Sequence, residues 1–344
     1  MGRFSFRKFI VDQLEPVPPV EACDLSGKTV LVVGANVGIG FETAKHFAAM
    51  GPANLVLACR SLKKGEDAAR AITVDTGFKG IFVRQVDLSV SESVIVFAEA
   101  VELEFKTIDI YVYNAATLHP DYGQTSDGWE RTLQVNHISC VSLTVLLWKC
   151  LLRAYCPGNR PRAVIVSSDV HYWTTFDSGA LCSPNIIEKL NEEEYCASAV
   201  MERRYSDSKL LNVLFVRELA ALIPFDSPVI PVAVTPGYCK SSLRRNYTLL
   251  SSIFDSLMER VLARTAEEGA RQLVWAAVGG ARRENELRGA YVADAGLKEV
   301  SDFVLSEEGE QVQKRVWEET MRILSTVSPR FVEAAGALST HSAA

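Results

Sequence analysis

The stretch "VVGANVGIGFETAKHFAAM", residues 32–50, decides how the chain is read. It leaves an apolar strand-like run, "TVLVVG", passes three glycines and enters a helical pattern with no intervening loop. A strand that turns into a helix through glycines presents backbone N–H groups, and the positive end of the helix dipole, to the space above it. A pyrophosphate suits that place; the plainer alternative is a tight strand–helix turn that holds no ligand. Gly34, Gly38 and Gly40 are spaced G-x-x-x-G-x-G, not the G-x-G-x-x-G of the common dinucleotide fingerprint.

Outward from this turn the same alternation continues. "NLVLACR", "IFVRQVD", "IDIYVYN", "AVIVSS" and "PVIPVAVTPG" read as strands, and helical patterns lie between them near 39–50, 61–75, 91–106, 127–155 and 202–223. Near-continuous Val/Ile/Leu runs are what strands buried on both faces of a parallel sheet require. The fold class is therefore α/β: a Rossmann-type doubly wound parallel sheet of about seven strands in a single domain. Further on, a helix is expected near 266–279, a short strand "GAYVA" near 289–293 and a helix near 306–325. Ser89 with Glu92, and Thr265 with Glu268, are spaced as capping boxes. Residues 1–26 read as a solvated N-terminal arm, 27–325 as the domain and 326–344 as a tail that frays at "AAGALSTHSAA".

Composition narrows the function classes. A net charge of -6 argues against nucleic-acid binding, which calls for a basic excess. Phe6 stands where a myristoylation signal needs Ser or Thr, and "CVSLTVLLWKCLL" is too short to span a bilayer and carries Lys149. No integral membrane segment is expected, although "FSFRKFI" offers a weak peripheral contact as an alternative to a plain arm. Eight cysteines with no C-x-x-C pair read as reduced thiols of a cytoplasmic protein. No metal-ligand set emerges from them and the five histidines.

Two local patterns carry chemistry. About 20 residues past Gly40, where an NAD site keeps an acid for the ribose 2′-hydroxyl, stands Arg60 in "ACRS". A guanidinium there fits a 2′-phosphate, which favours NADP(H), against the alternative of an ordinary surface arginine. In "RRYSDSKLLNVLFVREL", Tyr205 and Lys209 stand four residues apart and share a helix face. An ammonium about 5 Å from a phenol, at an effective dielectric near 20, favours the phenolate by about 3 kcal/mol, or roughly two pKa units. Such a pair is an acid–base group usable near neutral pH.

"VGANVGIG" resembles the TGxxxGIG motif of the short-chain dehydrogenase/reductase superfamily, with Val33 in place of the usual Thr. Asn136 in "TLQVNHIS", Ser168 in "AVIVSSD", Tyr205 and Lys209 follow in the chain order of that family's catalytic tetrad. The resemblance implies that Tyr205 donates or takes the proton and that Lys209 holds the nicotinamide ribose. It further implies that Ser168 orients the substrate oxygen, with Ser167 as an alternative, and that Asn136 completes a water relay. "YVYNAAT" is similar to the family's NNAG, with Tyr113 for the first Asn and Ala116 for the Gly. The cofactor residues implied are Gly34, Asn36, Gly38, Ile39, Gly40, Arg60, Lys64, Asp87, Leu88, Asn114, Tyr205, Lys209, Pro236, Gly237 and Ser241.

"ACRS", "SDSKLLNVLFVRELA" and "VQKRVWEET" look most like the retinol-dehydrogenase and WW-domain-oxidoreductase-like branch, including its fungal secondary-metabolism members. Lid segments are expected near 172–200 and 238–262. Tyr172, Trp173, Phe176, Tyr238, Leu249, Leu250 and Phe254 would wall a site for a hydrophobic small-molecule substrate of terpenoid, retinoid or polyketide type. His171 reads as a polar rim residue. The expected activity is NADP(H)-dependent interconversion of an alcohol with its ketone or aldehyde, with a homodimer as a candidate assembly. The alternatives are a non-catalytic NADP(H)-binding sensor or scaffold and, less well matched to the glycine spacing, a sugar-nucleotide epimerase.

Overall fold

Strand β1 (Thr29–Val33) is buried at all five residues and pairs in parallel on both sides, with β2 (Asn54–Cys59) and β4 (Ile110–Tyr113). β-Branched residues suit a strand covered on both faces, because their stiff side chains pack against helices above and below. The computed structural model describes residues 6–240, 262–280 and 283–339. In it β3 (Ile81–Gln85), β5 (Arg162–Val166), β6 (Ile230–Val234), β7 (Tyr291–Ala293) and β8 (Gly296–Lys298) complete one sheet in the order β3-β2-β1-β4-β5-β6-β7-β8. The order reverses between β1 and β4, which opens a crevice at the carboxyl ends of the strands.

The helices cover both faces. Val30 and Val32 point to one core with α2 (Gly38–Ala49), α3 (Leu62–Thr76) and α11 (Ala266–Val278). Leu31 and Val33 point to the other, the period-2 alternation of a strand. That second core holds α4 (Ser91–Phe105), the broken crossover after β4, and the long α10 (Ser198–Leu222). The crossover consists of α5 (Arg131–Leu133), a π-helical turn (Gln134–Ile138), α6 (Ser139–Leu146) and α7 (Trp148–Arg153). After β5 come a 3₁₀ turn (Asp169–Trp173), α8 (Ser178–Leu181) and α9 (Ile186–Asn191). Between β6 and the C-terminus lie α12 (Glu284–Leu287), α13 (Asp302–Leu305), α14 (Glu307–Val327) and α15 (Arg330–Leu338).

Several expectations need correction. The sheet has an eighth strand, β8, antiparallel to β7. Its hairpin turns through Asp294 and Ala295, both at positive φ, without the Asn-Gly or Asp-Gly that announces such a turn. The N-terminal arm is not wholly solvated: Phe6–Leu14 forms helix α1, and Gln13, Val17 and Leu25 are buried, although most of its other described residues are exposed or half-buried. The tail continues as α15, with Phe331 and Leu338 buried, before Ser339. The Thr265–Glu268 capping box forms, but Ser89 does not cap α4, because its hydroxyl and amide both bond the Asp87 carboxylate. Among the described residues no helix is long and apolar enough to cross a membrane, and all eight cysteines are free thiols.

Candidate active site

Strand register sets the first half of the site. Val33 lies opposite both Ala58 and Tyr113, so Gly34, Cys59–Arg60 and Asn114 leave the sheet side by side. Gly34 has φ +80°, and a Cβ there would lie 2.8 Å from the Ala115 backbone. A Cβ on Gly40 would lie 2.2 Å from the Gly34 carbonyl and 2.5 Å from Asn114 Nδ2. The Asn114 amide in turn donates to the Gly34 carbonyl at 2.9 Å. The turn is thus closed so tightly that only glycine fits. Val37, the N-cap of α2, makes no side-chain capping bond, so its side chain leaves the first-turn N–H groups uncapped. That cradle fits a pyrophosphate.

The remaining dinucleotide candidates line the same edge. Asn36 and Ile39 are half-buried in the turn and the first helical residues, whereas Arg60 and Lys64 are exposed at the end of β2 and the start of α3. Among the described residues no hydrogen bond or ion pair engages the Arg60 guanidinium; its carbonyl accepts from Gln85 Nε2 at 3.0 Å. Asp87 and Leu88 follow β3, and the Leu88 carbonyl accepts from Ser139. Pro236 is buried and Gly237 has φ +75°, just past β6. Ser241, Leu249, Leu250 and Phe254, and with them most of the expected lid at 238–262, lie outside the described residues.

The segments that carry the four candidate catalytic residues are tied together by hydrogen bonds. Lys209 is buried on the inner face of α10; its ammonium donates to the Val166 carbonyl at 2.8 Å and lies 5.5 Å from the centre of the Tyr205 ring. Ser167 donates to the Lys209 carbonyl at 2.8 Å. Its hydroxyl is thereby committed to the fold. Among the described residues the Ser168 hydroxyl, one residue on, accepts a long 3.3 Å bond from Val170 N–H and donates none. Asn136 is fully buried: its amide donates to the Thr117 carbonyl and to Ser208 Oγ, and its oxygen accepts from Thr117 N–H. Ser208 donates to the Tyr205 carbonyl, which ties Asn136 to the helix that carries the Tyr/Lys pair.

Local sequence explains two oddities. Asn136 sits in a π-helical turn, an i→i+5 widening that often marks functional positions. Tyr113, a departure from the family pattern, is fully buried and donates through its hydroxyl to the Val135 carbonyl at 2.5 Å, beside Asn136. Burial dominates the electrostatics. It lowers the Lys209 pKa to about 8, so the ammonium is still the main form at neutral pH. It also pushes the Asp169 carboxyl up to about 6 against a 2.8 Å bond from the Tyr291 hydroxyl.

His171 is a correction, since it is fully buried and not on the rim. Its Nδ1 meets the Ser168 carbonyl at 2.8 Å, and burial holds its pKa near 4, which keeps the ring neutral. Of the expected aromatic wall, Phe176 belongs to the core, packed edge-on against Phe303. The Tyr172 hydroxyl donates to the Glu299 carbonyl, and Trp173 remains 50% exposed. Sequence reasoning missed the Arg204–Glu130 pair: both residues are fully buried, 3.8 Å apart, between the segments that carry Tyr205 and Asn136. The Glu130 carboxylate also accepts from Thr132 and Leu133 N–H, at 2.8 and 2.9 Å, and so caps the turn that leads to Asn136. Nothing in the local pattern distinguishes these residues from surface charges.

The short chain dehydrogenase family model matches residues 28–172. Over 325 residues, 93% of this chain and 98% of the relative, the protein is 35% identical to the short chain dehydrogenase/reductase dmxR8 of Cryptosporiopsis sp.. It is also 35% identical to retinol dehydrogenase 12 of Homo sapiens, over 87% of each chain. Among solved structures, an uncharacterized protein from Mycobacterium paratuberculosis matches with a TM-score of 0.64 at 26% identity, covering 88% of this chain and 95% of that one. The chain belongs to the short-chain dehydrogenase/reductase family, whose members are nicotinamide-dependent oxidoreductases acting on CH–OH and C=O groups.

Proposed function

We propose that this oxidoreductase uses NADP(H) and interconverts a hydrophobic alcohol with its ketone or aldehyde, Tyr205 serving as the acid–base group. The observation that carries the reading is the Tyr205–Lys209 pair, 5.5 Å apart, bonded through α10 to Asn136 and through Ser167 to the strand end at Ser168. The nicotinamide of the bound cofactor supplies or accepts the hydride. Gly34, Asn36, Gly38, Ile39 and Gly40 hold the pyrophosphate side, with Asp87, Leu88 and Asn114 beside the adenosine and Pro236–Gly237 and Ser241 toward the nicotinamide.

As the carbonyl oxygen gains charge, Ser168 donates a hydrogen bond to it and Tyr205 transfers its proton. Lys209 makes that transfer usable at neutral pH, because its positive charge favours the phenolate that remains. Asn136, locked by three hydrogen bonds, holds the geometry through which the proton is replaced. Arg60, exposed at the end of β2 where the ribose 2′ position falls, supports the phosphorylated cofactor. The apolar substrate class rests on Trp173 and Tyr238 at the mouth. It also agrees with a relative named for retinol, an apolar alcohol.

The test is a panel of bulky apolar and small polar carbonyls, followed at the nicotinamide absorbance band with NADPH and NADH. The reading expects turnover of apolar ketones or aldehydes and binding of NADPH at least about tenfold tighter than NADH, a ratio one charge-assisted hydrogen bond can supply. Tight NADPH binding with no turnover across the panel would favour a non-catalytic sensor. Equal affinities for the two cofactors would remove Arg60 from the 2′-phosphate role.

A further inference from the structure

Helix α1 is built into the site side of the fold by contacts to three separate segments. Gln13 is 94% buried by its 6% residual exposure, and all of its amide hydrogen-bonding is spent on backbone. Nε2 donates to the Tyr238 carbonyl at 2.7 Å and to the Leu262 carbonyl at 2.9 Å, while Oε1 accepts from Tyr238 N–H at 3.1 Å. Both donors of the amide are used. The fit is close enough that a Cβ on Gly237 would lie 3.2 Å from Gln13 Oε1.

Arg264, itself only 7% exposed, holds the same C-terminal end of the helix. Its Nη2 donates to the Asp12 carbonyl at 2.6 Å, and the guanidinium pairs with Asp294 at 3.1 Å. A cation at the last turn of a helix complements its dipole. The Arg264 backbone meanwhile pairs with Tyr238 and Lys240, so Gln13 and Arg264 grip the same short strip of chain after Pro236–Gly237. One turn earlier on α1, the Phe9 ring packs edge-on against Trp173 at 5.9 Å, the last residue of the 3₁₀ turn that follows Ser168. Helix α1 therefore touches both segments that leave the sheet beside the candidate catalytic groups.

We propose that α1 is part of the substrate site of the reaction proposed above, with Gln13 a positioning residue that fixes the backbone at Tyr238 and Phe9 a specificity residue that backs Trp173. The contacts of α1 named above fall on the segments that follow β5 and β6, whereas the pyrophosphate would rest at the glycine turn after β1. Changes in α1 are thus expected to act on the carbonyl substrate more than on the dinucleotide.

The experiment uses the full-length protein, with Gln13→Met, Gln13→Glu and Phe9→Ala compared to the unmutated chain. The first readout is amide hydrogen exchange with no ligand present. In Gln13→Met the peptide 236–240 should exchange about tenfold faster, the scale of losing one to two net hydrogen bonds, while β1 and β4 keep their rates. Gln13→Glu should be worse than Gln13→Met, because the carboxylate oxygen that replaces Nε2 faces the Tyr238 and Leu262 carbonyls. A space-filling role predicts equal effects. The second readout is steady-state kinetics with NADPH on a bulky apolar ketone and a small one. KM for the bulky ketone should rise at least five times more than kcat falls in Gln13→Met. In Phe9→Ala it should rise at least five times more for the bulky ketone than for the small one.

Equal exchange in the Met and Glu variants, or faster exchange throughout the sheet, would overturn the positioning role. Parallel rises in KM for both ketones and in the NADPH Kd would overturn the specificity role. Absence of turnover in the unmutated protein would instead overturn the enzymatic reading and the substrate role with it, and the exchange arm would still decide the positioning role.

Discussion

Replacing Lys209 by Met keeps a chain of similar length in the core of α10 and removes one charge. The charge sits 5.5 Å from the centre of the Tyr205 ring. At an effective dielectric near 20 its attraction for a phenolate is about 3 kcal/mol, or roughly two pKa units. In alcohol oxidation Tyr205 must be deprotonated to act as base. The pH at which oxidation reaches half its maximum should therefore rise by about two units in Lys209→Met, and the rate at pH 7 should fall by about 10²-fold. The gap should be widest below pH 8 and narrow above it, because burial already sets the Lys209 pKa near 8 and the unmutated enzyme loses the charge there.

A stability signature accompanies the rate effect. The folded-state pKa of Lys209 lies below its ordinary 10.5, so the unfolded chain binds more protons between about 8 and 10.5. Stability of the unliganded protein should rise with pH across that window, by at most about 3 kcal/mol, and Lys209→Met should lack this rise. The assays are initial rates of alcohol oxidation with NADP⁺ from pH 6 to 10 and urea unfolding over the same range. A Met variant that oxidises alcohol at pH 7 within threefold of the unmutated rate, with its pH profile in place, would refute the electrostatic role.

Two further substitutions probe the frame around the pair. Gly40→Ala forces a methyl group toward the Gly34 carbonyl and Asn114 Nδ2, at 2.2 and 2.5 Å. It should cost about 1–3 kcal/mol in urea unfolding and weaken NADPH binding at least about tenfold by calorimetry; unchanged affinity would detach the glycine turn from the cofactor. Glu130→Gln leaves the buried Arg204 without a counter-charge and should destabilise the protein by about 3–5 kcal/mol, whereas a loss below about 1 kcal/mol would mean that the pair is not sealed from solvent as found.

The sheet was readable because each of its central strands is a run of β-branched and apolar residues closed by a turn, and parallel strands covered on both faces require that pattern. The glycine turn and the Tyr205–Lys209 spacing were readable because both are local: one depends on neighbouring φ angles, the other on helical pitch. What stayed hidden depends on partners remote in sequence. Gln13 meets Tyr238 across 225 positions, and nothing near Gln13 announces a buried amide. Ser89 and Glu92 had the right spacing for a capping box, yet Asp87 competes for the Ser89 hydroxyl at 2.6 Å. The choice between Ser167 and Ser168 turned on the Lys209 carbonyl, which only the packing of α10 on β5 brings near. β8 escaped notice because Asp294 and Ala295 adopt positive φ without glycine.

Proton transfer by Tyr205 in an NADPH-dependent carbonyl reduction is the step on which the proposed function depends. Its most direct test is the turnover of Tyr205→Phe on whichever apolar ketone or aldehyde the unmutated protein reduces best, measured beside NADPH binding by fluorescence. The expected result is that kcat falls about 10²–10⁴-fold, the scale of losing a positioned acid–base group, while the Kd for NADPH stays within threefold. A phenylalanine variant that keeps kcat within fivefold of the unmutated enzyme would contradict it.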